Sequence, residues 1–397
     1  MSNLVPVAEA LEALFALVAP LATEEVPLIS ATGRVLARDA VAARTQPPFA
    51  ASAMDGYAVR AEDGAAGLTL EVVGESAAGH GWAGRVAPGQ AVRIFTGAPV
   101  PEGADTVVIQ EDVTHDGDRI TLVEGTDPGA NIRPEGNDFK AGDRISAPRL
   151  LSPADVALAA SMNLPVLTVH RRPRVAVIAT GDELVMPGET PAPDQIIASN
   201  SFGLKAMFEA AGADVRLLPI APDTSDGLAA VLALAGDADL VVTIGGASVG
   251  DHDLVAKVAG EMGLERAFYK IAMRPGKPLM CGRLGSALLI GLPGNPVSSM
   301  VCGTLFVVPA LRVMKGLRAQ AQPRHAGKLT SALGKNGPRE HYMRAQLSWR
   351  DGIAWIDPAP RQDSGLMSVL ASADCLLVRA PHAPPADAGM DVAYIPL

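Results

Sequence analysis

The chain has 397 residues, and its 43 acidic and 33 basic side chains give a net charge of -10, which argues against a nucleic-acid clamp. A content of 48% hydrophobic and 19% charged residues is typical of globular proteins and excludes disorder over most of the length. At roughly 150 residues per domain, about two to four domains are expected. Gly (40) and Pro (32) are abundant and Phe, Tyr and Trp are scarce (8, 4 and 3), which indicates a turn-rich protein whose loops carry the chemistry.

The N-terminal segment predicts an amphipathic helix over residues 6–18, because its apolar residues recur at helical spacing. Glu9 and Glu12 lie within this apolar run, and residues 1–33 contain no Lys or Arg. A secretory leader has a basic start before its apolar stretch. We therefore expect a cytoplasmic protein.

The cysteine content also favours a reducing compartment such as the cytoplasm. Cys281, Cys302 and Cys375 are too few and too scattered for a disulfide framework or a zinc site, and they are most simply packing residues. Residues 284–311 hold no charged side chain, as a membrane span would, but Gly, Pro and Asn interrupt them. We expect a buried strand, a turn and a buried helix there, and no association with membranes.

A β-rich module is predicted over residues 46–142, where short Val/Ile runs alternate with Gly and Pro turns. A second helix is predicted directly after it, with Ser152 as its N-cap and Pro153 at its first position. The two helices share an Ala-rich composition. The β module is therefore interpreted as an insertion within a helical element.

From Arg174 onward, continuous apolar runs alternate with helical patterns, which is typical of parallel strands buried on both faces. The strands are predicted at RVAVIA, VRLLPI, LVVTI and ALLIGL, and the fold class is multidomain α/β with a central doubly wound domain. Short strands return near the C-terminus. The predicted domains are residues 1–45 with 143–172, 46–142, 173–318 and 319–397.

Polar residues and glycines follow three of these strands. In an open parallel sheet such residues meet at one edge, where ligands bind. The edge would combine carboxylates with glycine-rich backbone able to bind anions, an arrangement that suits a divalent cation such as Mg²⁺ on a pyrophosphate. The alternative is that these are ordinary turn and cap residues. The residues concerned are Glu183, Asp223, Gly245, Gly246, Ser248, Gly250 and Asp253.

Three cations lie within eight positions of this acidic chain: Lys270, Arg274 and Lys277. Such a cluster can bind phosphate or another oxyanion. The alternative is a solvated charged strand. The turn that Pro275-Gly276 imposes between Arg274 and Lys277 favours binding.

Two further loops have unusual composition. PPFAASAMDGY presents one carboxylate, Asp55, in an apolar context, although Asp55-Gly56 is also typical of a hairpin corner. GLPGNPVSS, residues 291–299, predicts a strand-to-helix turn with Asn295 as cap and Pro296 at the first helical position.

Seven motifs in order resemble one family, the molybdenum insertases of the MoeA and gephyrin E-domain type. They are PPFAASAMDGYAV, IFTGAPVPEGADTVV, GANIRPEGNDF, ATGDEL, TIGGASVGDHD, RPGKP and GLPGNPVSS. The resemblance covers essentially the whole chain. It implies a central domain like the molybdopterin adenylyltransferases, a C-terminal β barrel, and a homodimer with its active site at the contact between protomers.

The resemblance also implies the reaction. Molybdenum from molybdate is inserted into adenylylated molybdopterin, and the pyrophosphate bond is hydrolysed with Mg²⁺ present, so that AMP is released in the last step of cofactor biosynthesis. Transient contacts with the adenylyltransferase and with molybdoenzyme acceptors are expected.

Residue roles follow from the matched motifs. The resemblance assigns catalytic roles to Asp55, Asp138, Glu183, Asp223 and Asp253, with Glu183 and Asp253 as the Mg²⁺ carboxylates. It assigns substrate binding to Thr96, Gly245, Gly246, Ser248, Gly250, Lys270, Arg274, Lys277, Pro278, Ser298, Arg344 and Ser364.

Two departures stand out: Ala50-Ala51 replaces a polar pair that the family often has near Asp55, and Arg274 stands where Lys is common. Other functions remain as alternatives, namely a scaffold of the gephyrin type or the preceding adenylyltransferase. The carboxylates at one sheet edge argue against the scaffold, and the β module and C-terminal domain argue against the adenylyltransferase.

Overall fold

The computed structural model describes residues 4–246 and 254–397. Its first segment contains one helix followed by short strands. These are α1 (Val7–Ala16), β1 (Thr23–Pro27), a 3-10 turn (Leu28–Ser30), β2 (Val35–Leu36) and β3 (Ala40–Val41). Helix α1 buries Leu11 and Leu14 in the core of the central domain.

A β module follows β3. Its strands are β4 (Ala51–Ser52), β5 (Gly56–Val59), β6 (Thr69–Ser76), β7 (Gln90–Ile94), β8 (Thr106–Ile109), β9 (Val113–Asp116), β10 (Arg119–Leu122) and β11 (Ile132–Arg133). Six of them make one sheet in the order β8-β5-β7-β6-β10-β9. Successive residues of β5 point to opposite faces, so Tyr57 and Ala58 enter two separate small cores.

The chain then returns to the first segment. The elements are β12 (Arg144–Ile145), β13 (Arg149–Leu150), α2 (Pro153–Ser161) and β14 (Val166–His170). Strand β12 pairs with β3, and one sheet has the order β1-β14-β2-β13. The β module is therefore inserted between strands that pair with each other.

Helix α2 begins at the predicted cap. The backbone N–H of Asp155 donates to Ser152 Oγ at 3.2 Å, and the Asp155 carboxylate accepts from the backbone N–H of Ser152 at 2.8 Å. This reciprocal capping box, with Pro153 following, satisfies N–H groups that the first turn leaves without helical partners.

The central α/β domain begins with β15 and ends with α7. Its elements are β15 (Arg174–Ala179), β16 (Leu184–Val185), β17 (Ile196–Ile197), α3 (Asn200–Ala210), β18 (Asp214–Leu217), α4 (Ser225–Ala233), β19 (Leu240–Ile244), α5 (Leu254–Glu261), β20 (Glu265–Tyr269), β21 (Met273–Arg274), β22 (Met280–Leu284), β23 (Ala287–Leu292), α6 (Pro296–Cys302), a π-helical turn (Gly303–Val307) and α7 (Val308–Met314). The main sheet has the order β18-β15-β19-β23-β22-β20. Its first four strands are parallel, whereas β22 and β20 are antiparallel and were not predicted.

Both faces of this sheet are buried. Along β15, Val175 and Val177 enter one core, and Ala176 and Ile178 enter the core on the other face. A strand buried on both faces needs apolar residues at every position, which is why its sequence is a continuous apolar run. The doubly wound domain predicted from that pattern is confirmed.

Helices α6 and α7 and the π turn form one apolar segment, Pro296–Met314. With 19 residues and a mean hydropathy of 1.7 it could cross a membrane by length and composition, but 78% of its most apolar window is buried inside the protein. Val301, Phe306 and Leu311 from it pack in the central core. It is a core helix.

The C-terminal residues form a closed barrel. Its elements are β24 (His325–Leu329), β25 (Glu340–Arg350), β26 (Ile353–Pro358), α8 (Met367–Ala371), β27 (Cys375–Arg379) and β28 (Asp391–Pro396). The order β25-β26-β24-β28-β27 closes because β25 also pairs with β27. Strand β21 of the central domain adds to β25, so the two domains share backbone hydrogen bonds.

An ion pair ties the start of the central sheet to the preceding segment. Arg171 Nη1 and Nη2 donate to the two oxygens of Asp239 at 2.7 and 2.6 Å, and the backbone N–H of Arg174 donates to Asp239 at 2.8 Å. Burial of the Asp239 carboxyl would raise its pKa, but the Arg171 guanidinium, the Arg174 N–H and the two positive charges outweigh that burial and lower it.

We expect Asp239→Asn to cost about 2 kcal/mol of unfolding free energy at pH 7, because Arg171 then loses its partner. A carboxyl with a lowered folded-state pKa stabilises above its ordinary pKa of about 4 and loses that effect as the pH falls through the folded value. Urea unfolding at pH 7 and at pH 3 should show the gap between wild type and variant shrinking in acid. An equal difference in unfolding free energy at both pH values would contradict a lowered pKa of Asp239. Asp237→Asn is the control, because Asp237 belongs to an exposed ion pair and its loss should cost little at either pH.

Candidate active site

A cavity of about 880 Å³ lies at the carboxyl ends of the parallel strands. Its lining comes from residues that follow β15, β19 and β23 and from the first residues of α3, α5 and α6. This is the position at which open α/β sheets bind ligands. The volume falls within the range of small-molecule sites.

The cavity gathers five of the predicted site residues: Glu183, Asp223, Gly245, Gly246 and Pro278. Both carboxylates are exposed on its rim. Three further predicted residues, Ser248, Gly250 and Asp253, lie outside the described residues.

Glu183 is held by a short parallel strand pair. Its backbone carbonyl accepts from Ile196 N at 2.7 Å, just where β16 and β17 begin to pair. Its carboxylate folds over Gly181, where a Cβ would lie 2.3 Å from Glu183 Oε2, and Gly181 has φ +143°. Residue 181 must therefore be glycine for the carboxylate to lie there.

Hydrogen bonds lock the loops around the cavity together. Thr180 Oγ1 donates to the carbonyl of Ile244 at 3.3 Å, and the N–H of Asp223 donates to Asp182 Oδ1 at 3.1 Å. Asn200, at the start of α3, donates from Nδ2 to the carbonyl of Gly294 at 2.7 Å. The rim is thus a connected framework rather than a set of separate turns.

Sequence reasoning missed several lining residues. Asn200 could have been found as a polar residue at the first position of a helix that starts beside the strand ends. Lys257 is the one basic side chain among the described lining residues. Ile196 and Ile197 give the cavity an apolar side and are partly exposed, although nothing in their local pattern separates them from other loop residues.

The GLPGNP turn is confirmed with one correction. Asn295 occupies the N-cap position of α6 and Pro296 the first helical position, but the Asn295 side chain makes no capping hydrogen bond. Asn295 lines the cavity instead.

A second group of predicted residues lies where the barrel meets the central domain. Strand β21, which ends at Arg274, pairs with β25, which contains Arg344. The N–H of Val297 donates to the carbonyl of Ser364 at 3.0 Å, so the start of α6, with the buried Ser298, contacts the barrel loop. Two domains therefore contribute side chains to one junction.

Arg344 is fully buried at this junction, with 0% of its surface exposed. Its Nη2 donates to the carbonyl of Asp363 at 3.0 Å, but Nε and Nη1 have no hydrogen-bond partner among the described residues. Burial, and then the positive charge of Arg274, lower the pKa of Arg344. A buried guanidinium with two unused donors is the chemistry of an anion site.

The cationic loop rests on Cys302. Gly276 has φ +109°, and a Cβ there would lie 2.5 Å from Cys302 Sγ. The carbonyl of Lys277 accepts from the N–H groups of Ile271 and Leu279, which closes the loop. Lys270 and Lys277 flank this turn and do not line the cavity as Pro278 does.

Replacing Gly276 by Ala should displace the loop, because the new methyl group meets a buried sulfur at a backbone angle that alanine rarely adopts. We expect a loss of about 1–3 kcal/mol of stability and weaker anion binding. Gly285→Ala is the matched control, since Gly285 has φ +60° and open space around it. Thermal unfolding and anion titration of both variants test this; equal effects would mean that the contact with Cys302 is unimportant.

The β module supplies a separate polar pair. Asp55 accepts from the backbone N–H of Thr96 at 2.7 Å and from its hydroxyl at 2.8 Å, and these two hydrogen bonds lower the pKa of Asp55. Asp138 is exposed elsewhere in the module, where its N–H donates to the carbonyl of Gln46 at 3.1 Å. The described residues that line the cavity all belong to the central domain, so one chain alone does not bring these groups to it.

Within residues 4–246 and 254–397, no three His, Cys, Asp or Glu side chains lie close enough to form a metal site by themselves. Glu183 and Asp223 nevertheless present carboxylate oxygens to one cavity. A site of two carboxylates completed by water and substrate phosphates is typical of Mg²⁺. The residues present therefore fit that ion.

Comparison with known proteins gives a consistent result. Residues 5–163 match the MoeA N-terminal region (domain I and II), residues 176–313 a probable molybdopterin binding domain, and residues 326–397 the MoeA C-terminal region (domain IV). The fold and the three matched regions together define a protein of the MoeA class.

Two curated relatives are 37% identical to the chain. The molybdopterin molybdenumtransferase of Nostoc sp. aligns over 90% of this chain and 84% of its own length, and that of Haemophilus influenzae over 90% of both. A crystal structure of a molybdopterin biosynthesis MoeA protein from Pyrococcus horikoshii OT3 superposes with a TM-score of 0.85 at 29% identity, covering 100% of both chains. The chain belongs to the molybdopterin molybdenumtransferase family, and it is a transferase.

Proposed function

We propose that the protein transfers molybdenum from molybdate to adenylylated molybdopterin and hydrolyses the pyrophosphate bond, releasing AMP. Family membership supports the transfer. The observation that carries the rest is the juxtaposition of a carboxylate-rimmed cavity with a buried arginine that has unused donors. The carboxylate-rimmed cavity suits a phosphoanhydride with its metal ion, and the buried arginine suits an oxyanion.

The cavity is the proposed site of the nucleotide-linked pterin. Its apolar side, with Ile196 and Ile197, suits a flat ring, whereas the strand ends present polar backbone and the carboxylates of Glu183 and Asp223. Lys270 and Lys277 flank the loop that leads from the cavity to the barrel junction. This order supports a binding mode in which the phosphates lie between the ring and the oxyanion.

Glu183 and Asp223, together with Asp253, are the proposed carboxylates for Mg²⁺. When bound, Mg²⁺ neutralises charge on the pyrophosphate and makes phosphorus more electrophilic. The chain's own contribution is geometric, because the pairing of β16 with β17 fixes Glu183 and the hydrogen bond from Asp223 N–H to Asp182 fixes the loop that carries Asp223.

Asp55, Thr96 and Asp138 are proposed to act in the site of a second protomer. They lie in the β module, outside the cavity of their own chain, so a homodimer is needed to bring them to a substrate. The Thr96 hydrogen bonds lower the pKa of Asp55. An ionised carboxylate can orient the attacking water, whose addition to phosphorus gives AMP.

Arg344 and Ser364, with Arg274, Lys277 and Ser298, form the proposed oxyanion site. Arg344 offers two unused N–H donors, and the carbonyl of Ser364 is fixed by α6. Molybdate is a tetrahedral dianion that matches such donors in charge and geometry. The barrel therefore presents molybdate to the pterin.

The proposal is tested with the full-length protein, adenylylated molybdopterin, Mg²⁺ and molybdate. We expect AMP release together with reconstitution of an apo-molybdoenzyme. Failure to form AMP would exclude the hydrolytic step. Formation of adenylylated molybdopterin from ATP and free molybdopterin would instead indicate the preceding adenylyltransferase.

A further inference from the structure

Three neighbouring strands place an arginine, a histidine and another arginine side by side. Arg274 of β21 is the register partner of His341 of β25, and His341 is the register partner of Arg379 of β27. Register partners point to the same face, with Cβ atoms about 5 Å apart. We call these residues the Arg–His–Arg row.

The inner two residues of the row are buried and incompletely bonded. His341 is 8% exposed and Arg379 is 6% exposed. His341 Nε2 and Arg379 Nη1 have no hydrogen-bond partner among the described residues. Arg274 is exposed, so the row runs from the surface inward.

The electrostatic surroundings are positive. Burial, and then the positive charges of Arg274, Arg344, Arg339 and Arg379, together lower the pKa of His341 to about 4. His341 is therefore neutral at physiological pH. The neutral ring with its proton on Nε2 is one donor, and the Arg379 guanidinium beside it supplies a charged one.

Such an arrangement is unfavourable without an anion. Four positive charges surround His341, and a buried guanidinium that uses only part of its donors carries a desolvation penalty. One amino group of Arg379 donates to the carbonyls of Gly334 and Pro384, which fixes the side chain. The other, Nη1, is buried and has no hydrogen-bond partner among the described residues.

We propose that the Arg–His–Arg row binds a small tetrahedral oxyanion, held by His341 Nε2 and Arg379 Nη1 and closed on the surface side by Arg274. Arg344 is three residues from His341 along β25, so it lies on the opposite face of the strand. The row is therefore a second anion site on the other face of β25 from Arg344, and it shares Arg274 with the proposed molybdate site. It rests on the proposed function only for the identity of its natural anion, since molybdate, sulfate and phosphate share this chemistry.

The test uses full-length protein and measures thermal unfolding and equilibrium dialysis in chloride, molybdate, sulfate and phosphate at matched ionic strength. The key variants are Arg379→Leu and His341→Leu, each also made in an Arg344→Leu chain so that the first site is removed. We expect the Arg344→Leu chain to keep one bound oxyanion and each double variant to bind it at least about tenfold more weakly. Preference for one anion across the four solutions identifies the natural source.

Arg350→Leu is the control, because Arg350 is exposed at the far end of β25, where it stacks on Trp355 at 4.8 Å. In the Arg344→Leu chain, oxyanions should raise the melting temperature, and adding Arg379→Leu should abolish that rise. Each chain is compared with itself in chloride, because Arg379→Leu also loses the hydrogen bonds to Gly334 and Pro384. If wild type and both row variants respond equally to oxyanions, or if the wild type does not respond at all, the row is not an anion site. Oxyanion binding at the row without any AMP release would count against the proposed function and not against the row.

Discussion

Replacing Glu183 by Gln is expected to slow AMP release by about 10²–10⁴-fold, because the substitution keeps the shape of the side chain and removes the charge needed at the pyrophosphate. The backbone bond from Ile196 N to the Glu183 carbonyl does not depend on the side chain. The melting temperature should therefore stay within about one degree of the wild type. Single-turnover AMP release measured at saturating Mg²⁺ gives the rate.

Asp194→Asn is the matched control. Asp194 lies in the loop between β16 and β17, the strand pair that follows Glu183; it is exposed and is not among the residues that line the cavity. The substitution Asp194→Asn removes one negative charge without touching the proposed site, so this variant should release AMP at the wild-type rate. If Glu183→Gln also kept a rate within twofold of the wild type, the assignment of Glu183 to the pyrophosphate would be wrong.

The cavity could be predicted from the sequence because one physical rule determines it. Continuous apolar runs mark parallel strands, and the residues after those runs must meet at one sheet edge. Glu183, Asp223, Gly245 and Gly246 were found in this way and do line the cavity. No knowledge of side-chain packing was needed.

The barrel junction could not be found in this way. The burial of Arg344 depends on how a strand more than sixty residues beyond β21 pairs with it, and no local pattern encodes that pairing. The same holds for Cys302, interpreted from the sequence only as a packing residue, which in fact supports Gly276 across 26 residues. Long-range contacts decide these roles.

The β module is an intermediate case. The loop around Asp55 was singled out by its composition, but the hydrogen bonds that lower the pKa of Asp55 come from Thr96, 41 residues away. Only the family resemblance connected the two residues before the structure did. Whether the pair acts in a second protomer is a question of assembly that neither composition nor spacing addresses.

Net charge gives little guidance to the ligand. The chain carries -10 overall, yet the barrel junction concentrates Arg274, Arg339, Arg344 and Arg379 around one histidine. Local burial raises the electrostatic effect of each cation well above its effect in water. An acidic protein can thus bind an anionic ligand through a few buried positive groups.

Replacing Arg344 by Leu is expected to raise the molybdate concentration for half-maximal turnover by about 100-fold. The variant loses two charge-assisted hydrogen bonds of about 1.5 kcal/mol each, and 3 kcal/mol corresponds to roughly two orders of magnitude in affinity. Unfolding free energy in the absence of oxyanions should not fall, because the substitution removes a buried charge that is largely unpaired. The half-maximal molybdate concentration of Arg344→Lys should lie between those of the wild type and Arg344→Leu, because lysine keeps the charge but not the planar pair of donors.

The variant Gln362→Ala tests whether molybdate binding depends on the Arg344 guanidinium itself or on the position of the loop beside it. Gln362 Nε2 donates to the carbonyls of Arg344 and Ala359 at 2.9 and 2.8 Å, so its loss loosens the same loop while leaving the cation in place. Molybdate titration of AMP release should show a far smaller shift for Gln362→Ala than for Arg344→Leu. Equal shifts would mean that Arg344 acts by positioning the loop that carries Ser364, and that the oxyanion is bound by other groups.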